Sequence, residues 1–368
     1  MPTELESWVL LNGISAVGPV KFKILLDYLG SAEKVLSSTF EDLARIEGIG
    51  EKTAGTIIDE RGKFNLKKEI DETARDGIKI IASFMDEYPA SLKTIYDYPP
   101  VLYIKGEIRE QDAFAVAIIG SRKNTVYGKS ACEKIVRDLT DMGVTIISGF
   151  ARGIDTIAHQ TALSENGRTI AVLGNGLSYH YPPENRKMED KIIANGAIIS
   201  EFPMGQRPDK QNFPRRNRLI SGLSLGVVVV EAAEKSGALI TATCASEQGR
   251  DVFAVPGSIF SKYSAGPHQL INKGAKLAEK ADDIISEISV LKNLVDKTRL
   301  NLKVVREEKK ISAESRPVYN LIGHEPVHID YLSEKLNMPI EKLAVILLNL
   351  VIDGLISELP GKTYIRKE

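Results

Sequence analysis

Three arginines within four positions, Arg215, Arg216 and Arg218, stand beside Phe213 in the segment 212–222. They directly precede an apolar run at 225–231, which predicts a buried strand of a parallel sheet. Guanidinium groups form paired hydrogen bonds with phosphates, and an aromatic ring can stack on a base. The segment therefore predicts a site for a phosphate-rich ligand, and most simply for a polynucleotide strand.

The arginines end a longer basic segment, residues 206–218, which we interpret as a loop. It holds five cations against one anion, namely Arg207, Lys210, Arg215, Arg216 and Arg218 against Asp209. A solvated charged loop is the common alternative. Pro214 and the apolar pair at 219–220 favour a fixed backbone instead. Because arginine also suits fork-like phosphate contacts, we favour a binding function for this segment.

Two further turns carry similar chemistry. Ser121 and Arg122 follow Gly120 at the end of an apolar run, and Arg152 lies in the segment 148–155 after the next run. In doubly wound folds, phosphates bind in the crevice at the carboxyl ends of the strands. Either turn alone could be a plain connection with a solvated arginine, but the recurrence at adjacent strand ends favours a site. Lys235, ahead of a predicted helix, adds another cation there.

Two patterns that resemble catalytic motifs are less informative. Asp155 and His159 lie four positions apart on a predicted helix, where a hydrogen bond that holds the loop is a better interpretation than acid–base catalysis. The run 127–130 ends like a phosphate-binding P-loop, but Lys123 occupies the position where that motif requires glycine. Hydrolysis of ATP is therefore not predicted, and neither a metal nor a cofactor is expected.

Composition limits the site to one region of the chain. The 368 residues carry a formal net charge of −1, so any polyanion site must be local. Two cysteines, Cys132 and Cys244, form neither a disulfide framework nor a zinc pattern, which fits a reducing compartment. With no signal segment and no apolar run of membrane-spanning length, we expect a cytoplasmic protein.

Short apolar runs alternate with helical patterns through residues 66–290. This predicts a doubly wound α/β domain with a mostly parallel sheet. The predicted strands are residues 79–83, 102–105, 113–120, 144–149, 169–174, 197–200, 225–231 and 252–256.

Smaller helical units are predicted at both ends. Residues 1–65 show helical periodicity, and 46–54 has the glycine spacing of a helix-hairpin-helix turn, with a degenerate partner at 14–19. Residues 291–316 form a charged linker, as a helix or a loose segment, and 317–368 have a winged-helix layout. Both end units are acidic, with net charges of −3 and −2, which favours protein contact over DNA contact.

Ordered motifs over about residues 80–285 resemble the DNA-processing protein A family. They are GSR at 120–122, SGFARGID at 148–155, YPPENR at 181–186, SEFPMG at 200–205, NFPRRNRLISGLS at 212–224, VVVEA at 228–232, SGALITA at 236–242, EQGRDVFAVPG at 247–257 and LINKGA at 270–275. The resemblance implies a non-enzymatic homodimer, joined through the Rossmann-like domain. It also implies that the protein binds single-stranded DNA, protects it during natural transformation and helps to load the RecA recombinase.

The resemblance also implies which residues form the DNA pocket: Ser121, Arg122, Arg152, Phe213, Arg215, Arg216, Arg218 and Lys235. The main alternative is a nucleotide-binding hydrolase that uses the same pocket. Related hydrolases show a paired-glycine loop, which the corresponding segment 230–237 lacks.

Overall fold

The computed structural model describes residues 2–302, 314–323, 325–353 and 355–366. The chain divides into two compact units, Met1–Arg299 and Leu300–Glu368, each with its own hydrophobic core. None of the described helices is both long enough and apolar enough to cross a bilayer.

The first unit begins with helices only, as predicted. They are α1 (Glu4–Asn12), α2 (Pro19–Leu29), α3 (Ala32–Ser37), α4 (Phe40–Ala44), α5 (Gly50–Glu60) and α6 (Leu66–Arg75). Their shared core, around Trp8, Phe22 and Leu25, continues into side chains of the sheet such as Tyr103. Because that core crosses the predicted boundary at residues 65 and 66, the boundary stays a prediction.

A nine-stranded sheet forms the centre of this unit, in the order β1-β2-β6-β5-β4-β3-β7-β8-β9. The strands are β1 (Ile78–Ala82), β2 (Val101–Gly106), β3 (Ala115–Ile119), β4 (Thr145–Ser148), β5 (Thr169–Val172), β6 (Gly196–Ser200), β7 (Gly226–Val229), β8 (Asp251–Ala254) and β9 (Lys276–Leu277). Eight of the nine were predicted, and the two-residue β9 was missed.

Seven strands, β3 to β9, pair in parallel, whereas β1 pairs antiparallel with β2, and β2 with β6. The sheet is therefore mostly parallel, as predicted. Its two faces carry separate apolar cores, so the parallel strands have little polar alternation.

The helices that follow the strands cover both faces of the sheet. They are α7 (Val126–Asp141), α8 (Ile154–Ser164), α9 (Arg186–Ala194), α10 (Asn212–Gly222), α11 (Gly237–Glu247), α12 (Ala265–Asn272), α13 (Ala281–Glu287) and α14 (Ser289–Leu302). Side chains of α10 and α11 belong to one core, and those of α7, α8 and α13 belong to the other.

Helix α10 corrects the interpretation of residues 206–218 as a loop throughout. The helix begins at Asn212 and contains all three clustered arginines. Pro214 is its third residue, where a missing N–H costs no hydrogen bond because the first turn has no acceptor for it. The clustered arginines therefore have fixed and different directions around a helix.

The second unit has the predicted winged-helix elements. They are α15 (Arg316–Leu321), β10 (Val327–His328), α16 (Ile329–Leu336), α17 (Ile340–Ile352), β11 (Ile356–Leu359) and β12 (Thr363–Arg366), with β10 as an unpredicted third strand of the wing sheet. The predicted linker begins inside α14, and its residues 303–313 lie outside the described residues.

Candidate nucleic-acid interface

The strand order places a topological switch point at β3. From β3 the chain builds β4, β5 and β6 on one side, and then β7, β8 and β9 on the other. Connections that leave adjacent strands in opposite directions open a crevice at the carboxyl ends, where ligands of such sheets bind. Three turns meet there, residues 120–123 after β3, 149–153 after β4 and 230–236 after β7.

Two glycines let these turns approach each other backbone to backbone. A Cβ on Gly153, whose φ is +79°, would lie 2.1 Å from the carbonyl oxygen of Ser121. A Cβ on Gly120 would lie 2.9 Å from the carbonyl oxygen of Glu231. Any side chain at either position would push the turns apart, so both glycines are required by the close approach.

A groove of about 610 Å³ lies over these turns, and we call it the rim groove. Its lining holds one carboxylate, Asp155, against five cations: Arg122, Lys123, Lys210, Arg216 and Lys235. All of the cations except Arg216 are exposed. The rim groove is therefore a local concentration of positive charge in a chain whose net charge is −1.

An aromatic stack lies beside the cations. The rings of Phe213 and Tyr181 are 5.6 Å apart at 30°, and the guanidinium of Arg122 lies 5.5 Å from the Phe213 ring centre. Both rings line the rim groove and a smaller adjoining cavity. A Cβ on Gly174 would lie 2.8 Å from the Phe213 ring, so this glycine provides the space for the ring.

Arg216 forms the floor of the rim groove. Its side chain donates to the carbonyl oxygens of Gly149, at 2.5 Å, and Val172, so it ties α10 to the ends of β4 and β5. Burial lowers the pKa of Arg216 to about 10, while the neighbouring Asp155 opposes that shift. The guanidinium stays charged at neutral pH and contributes a fixed positive potential to the rim groove.

Asp155 and His159 do not bond to each other. Asp155 accepts from the backbone N–H of Ala151 at 3.3 Å, whereas His159 Nδ1 lies 2.7 Å from Thr169 Oγ1. Burial raises the pKa of Asp155 to about 6, against the opposing effect of Arg216. Burial also lowers the pKa of His159 to about 3. Asp155 therefore holds the loop and His159 holds strand β5. The two side chains are not placed to act together as an acid–base pair.

The groove combines backbone turns, exposed cations and stacked rings at a switch point. A family model described as "DNA recombination-mediator protein A" matches residues 79–289, which contain all of these features. This chain belongs to that family. A winged-helix model of the same family, DprA, matches residues 306–362, and a tandem helix-hairpin-helix model matches residues 9–63.

A related sequence and a solved structure support the assignment to the DprA family. The chain is 39% identical to the protein Smf of Escherichia coli over 288 residues, which are 78% of this chain and 77% of that protein. The structure of DNA processing protein A from Streptococcus pneumoniae is similar with a TM-score of 0.69 at 35% identity, over 78% of this chain and 99% of that one.

A second solved structure is that of DNA processing protein A from Helicobacter pylori, whose description concerns its single-stranded DNA binding mode. It is similar with a TM-score of 0.51 at 29% identity, over 61% of this chain and 96% of that one.

Eight residues were predicted to form the DNA pocket. Five of them line the rim groove, namely Ser121, Arg122, Phe213, Arg216 and Lys235. The hydroxyl of Ser121 accepts from the N–H of Lys123 at 3.0 Å, so it orders the turn. Sequence reasoning did not place Lys123 and Lys210 in the pocket. Lys210 belongs to the basic segment, and Lys123 directly follows Arg122, so both signals were present in the sequence.

Two predicted pocket residues lie beside the rim groove. Arg152 lines the smaller cavity, and its exposed side chain is paired with Glu184. Arg215 is exposed, and its guanidinium lies 5.2 Å from the ring centre of Phe202, outside the residues that line the groove. DNA contact by either residue stays a prediction.

Arg218 does not line the rim groove, so the structure gives no support to its predicted contact with DNA. Its side chain is 9% exposed, pairs with the buried carboxylate of Glu201 and lies 3.2 Å from Asp97. Burial raises the pKa of Glu201, and Arg218 opposes this shift. Arg218 is one half of a structural ion pair. It faces away from Arg216 because residues two apart on an α-helix point about 200° apart.

The P-loop-like run lies inside the first turns of α7. Thr125 caps that helix, accepting from the N–H of Gly128 at 3.0 Å. Both carboxylate oxygens of Glu231 accept from Thr125, one from its N–H at 2.9 Å and one from its hydroxyl at 2.6 Å. Glu231 therefore fastens α7 to the end of β7.

Proposed function

We propose that the rim groove binds single-stranded DNA. The observation that supports this most directly is the Phe213–Tyr181 stack among four exposed cations. Cations attract the phosphates of any nucleic acid, but only unpaired bases can leave their own stack to lie on a protein ring. The groove therefore favours a flexible single strand over duplex DNA and has little basis for sequence preference.

Family membership supports a proposal about the wider role. We propose that the chain protects incoming single strands during natural transformation and helps to load RecA onto them, without catalysing a reaction itself. We also propose that it works in the cytoplasm as a homodimer through the Rossmann-like domain. The edge strand β9 supports the homodimer, since it leaves Leu277 46% exposed at one end of the sheet.

A competition experiment tests the binding proposal. A labelled single strand of mixed sequence is bound to the full chain, and unlabelled single strand, duplex or mononucleotide is added at low and at moderate salt. We expect the single strand to compete best and the mononucleotide to compete least, with affinity falling steeply as salt rises. Equal competition by the mononucleotide, with release of its phosphate or base, would support the hydrolase alternative.

A further inference from the structure

An ion pair lies at the edge of the smaller cavity that adjoins the rim groove. Arg152 lines this cavity together with three residues of the rim groove, namely Arg122, Tyr181 and Phe213. The guanidinium of Arg152 donates to both carboxylate oxygens of Glu184, from Nε to one oxygen and from a terminal nitrogen to the other at 3.2 Å. Guanidinium groups bind phosphates with this same paired geometry. The face of Arg152 that suits a phosphate is therefore occupied by a carboxylate of the protein itself.

The fold holds the two members of this pair next to each other. Glu184 is followed by Asn185, whose side chain is buried. The Asn185 amide donates to the carbonyl oxygen of Phe150 at 3.0 Å and to the hydroxyl of Thr156 at 2.9 Å. Phe150 and Thr156 lie on either side of Arg152 in sequence, so these bonds fix the backbone near Glu184 against the backbone near Arg152. The pair is therefore built into the fold and is not a chance contact of two long side chains.

The pair is nevertheless open to competition by another anion. The side chains of Arg152 and Glu184 are 54% and 48% exposed, and ion pairs at such exposure contribute little to stability. The hydrogen bond from Arg152 lowers the pKa of Glu184, so the carboxylate is ionised at neutral pH. Arg152 and the stacked rings line the same small cavity, so a nucleotide on the stack would bring a phosphate close to Arg152.

We propose that Glu184 holds Arg152 while the groove is empty and yields it to a phosphate of the bound single strand. This inference rests on the proposed binding of single-stranded DNA. In the exchange, the guanidinium turns from the carboxylate to the phosphate, and Glu184 is left charged beside the strand. A strand offsets this cost through its contacts with the other groove cations, whereas free phosphate makes no further contact. Glu184 therefore makes Arg152 selective for a polymer over small anions.

Removal of the Glu184 charge tests the exchange. Glu184→Gln keeps the shape of the side chain and frees Arg152, so the full chain should bind a labelled single strand about fivefold more tightly at low salt. The slope of log affinity against log salt should also become steeper by about 0.7. In the parent chain the phosphate releases a cation but Glu184 takes one up, whereas in the variant only the release remains. Fluorescence anisotropy over a series of salt concentrations measures both quantities.

A second ion pair of the same kind provides the matched control. Arg137 and Glu165 are paired at 3.1 Å and partly exposed, and neither lines the rim groove or the smaller cavity. Glu165→Gln changes the net charge of the chain by the same amount and should leave the affinity and the salt slope nearly unchanged. Circular dichroism should show the same fold in both variants, since the changed side chains are at least partly exposed. An equal effect of the two changes would show that only the total charge matters, and it would overturn the exchange.

The Arg152→Ala background separates release of Arg152 from simple repulsion by Glu184. Without Arg152, Glu184→Gln should raise the affinity far less than it does in the parent chain. An equal gain in both backgrounds would show that Glu184 only repels the strand, which contradicts the exchange. A chain that binds the strand but is unaffected by Glu184→Gln would also overturn the exchange, while the proposed function would stand. A parent chain that does not bind the strand would overturn the proposed function together with this inference.

Discussion

Three arginines within four positions do three different things in this protein. Arg215 points to solvent over Phe202, Arg216 fills the floor of the rim groove, and Arg218 is buried against Glu201. Helical geometry imposes the difference, because neighbouring residues on a helix point about 100° apart. A cluster of one residue type in sequence is therefore not a cluster in space once the segment is a helix.

At Arg218 we predict a loss of stability with no direct loss of binding. Arg218→Met would leave Glu201 buried without its cation, which costs about 3 kcal/mol or more. Urea denaturation should show the loss, and the double change with Glu201→Met should recover part of it. Arg215→Ala, at an exposed neighbour, should change stability by less than about 0.5 kcal/mol. Equal stability of the Arg218 and Arg215 variants would contradict the buried ion pair.

At Phe213 we predict a loss of strand affinity. Phe213→Ala removes the ring that stacks on Tyr181 and should weaken single-strand binding by about 1–3 kcal/mol, as loss of a base-stacking ring does. Phe213→Tyr keeps the ring and serves as the control. Fluorescence anisotropy with a labelled strand measures both. If the alanine variant bound as tightly as the tyrosine variant, Phe213 would not be a base platform.

At Asp155 we predict a pH dependence. Its pKa of about 6 means that the carboxyl is neutral below that pH, which removes the one anion that lines the rim groove. Arg216 stays charged and His159 stays neutral across this range. Strand affinity should therefore be about fivefold higher at pH 5 than at pH 7.5, for a change of roughly 1 kcal/mol.

Asp155→Asn provides the control for that pH dependence. At pH 7.5 this variant should bind the single strand nearly as tightly as the parent chain does at pH 5. The same group affects folding. Because the folded-state pKa is raised, the favourable contribution of Asp155 is complete below its unfolded value of 3.8 and is lost as pH rises through about 6. Asp155→Asn should thus be relatively more stable at pH 7.5 than at pH 4. A pH profile identical to that of the parent would contradict this assignment.

At the scale of elements, the parallel strands could be predicted because each is a short run of consecutive apolar residues. The antiparallel pairing of β1 and β2 could not, since strand direction depends on the partner and not on local composition. The helical second half of the basic segment was missed because Pro214 suggests a loop, although proline is tolerated in a first turn. The buried partner of Arg218 was equally invisible, because Glu201 lies on another element.

The contact between α7 and β7 depends on the threonine cap. Thr125→Val keeps the shape but removes the hydroxyl that caps α7 and bonds Glu231, so it should cost about 1–3 kcal/mol. Thr125→Ser keeps the hydroxyl and should cost much less. Thermal unfolding of the two variants compares them directly, and equal losses would show that the methyl group matters more than the cap.

At the scale of the whole chain, function depends on where the charge lies and not on its total. Forty-eight basic and forty-nine acidic residues nearly cancel, yet five cations line one groove against one carboxylate. Sequence reasoning predicted a local site at strand ends because those turns are adjacent in a doubly wound fold. It did not assign Lys123 and Lys210 to the pocket, although one follows Arg122 and the other belongs to the basic segment, because only the folded turns show that they line the same groove.

The salt dependence of strand binding tests the rim groove most directly. Lys210→Ala with Lys235→Ala removes two exposed groove cations, and Lys79→Ala with Lys134→Ala removes two exposed lysines that do not line the groove. We expect the first pair to weaken binding and to reduce the slope of log affinity against log salt by about 1.4, since each phosphate contact contributes roughly 0.7. The second pair should leave the slope unchanged. An unchanged slope in the folded groove variant, or an equal change in both variants, would contradict the account.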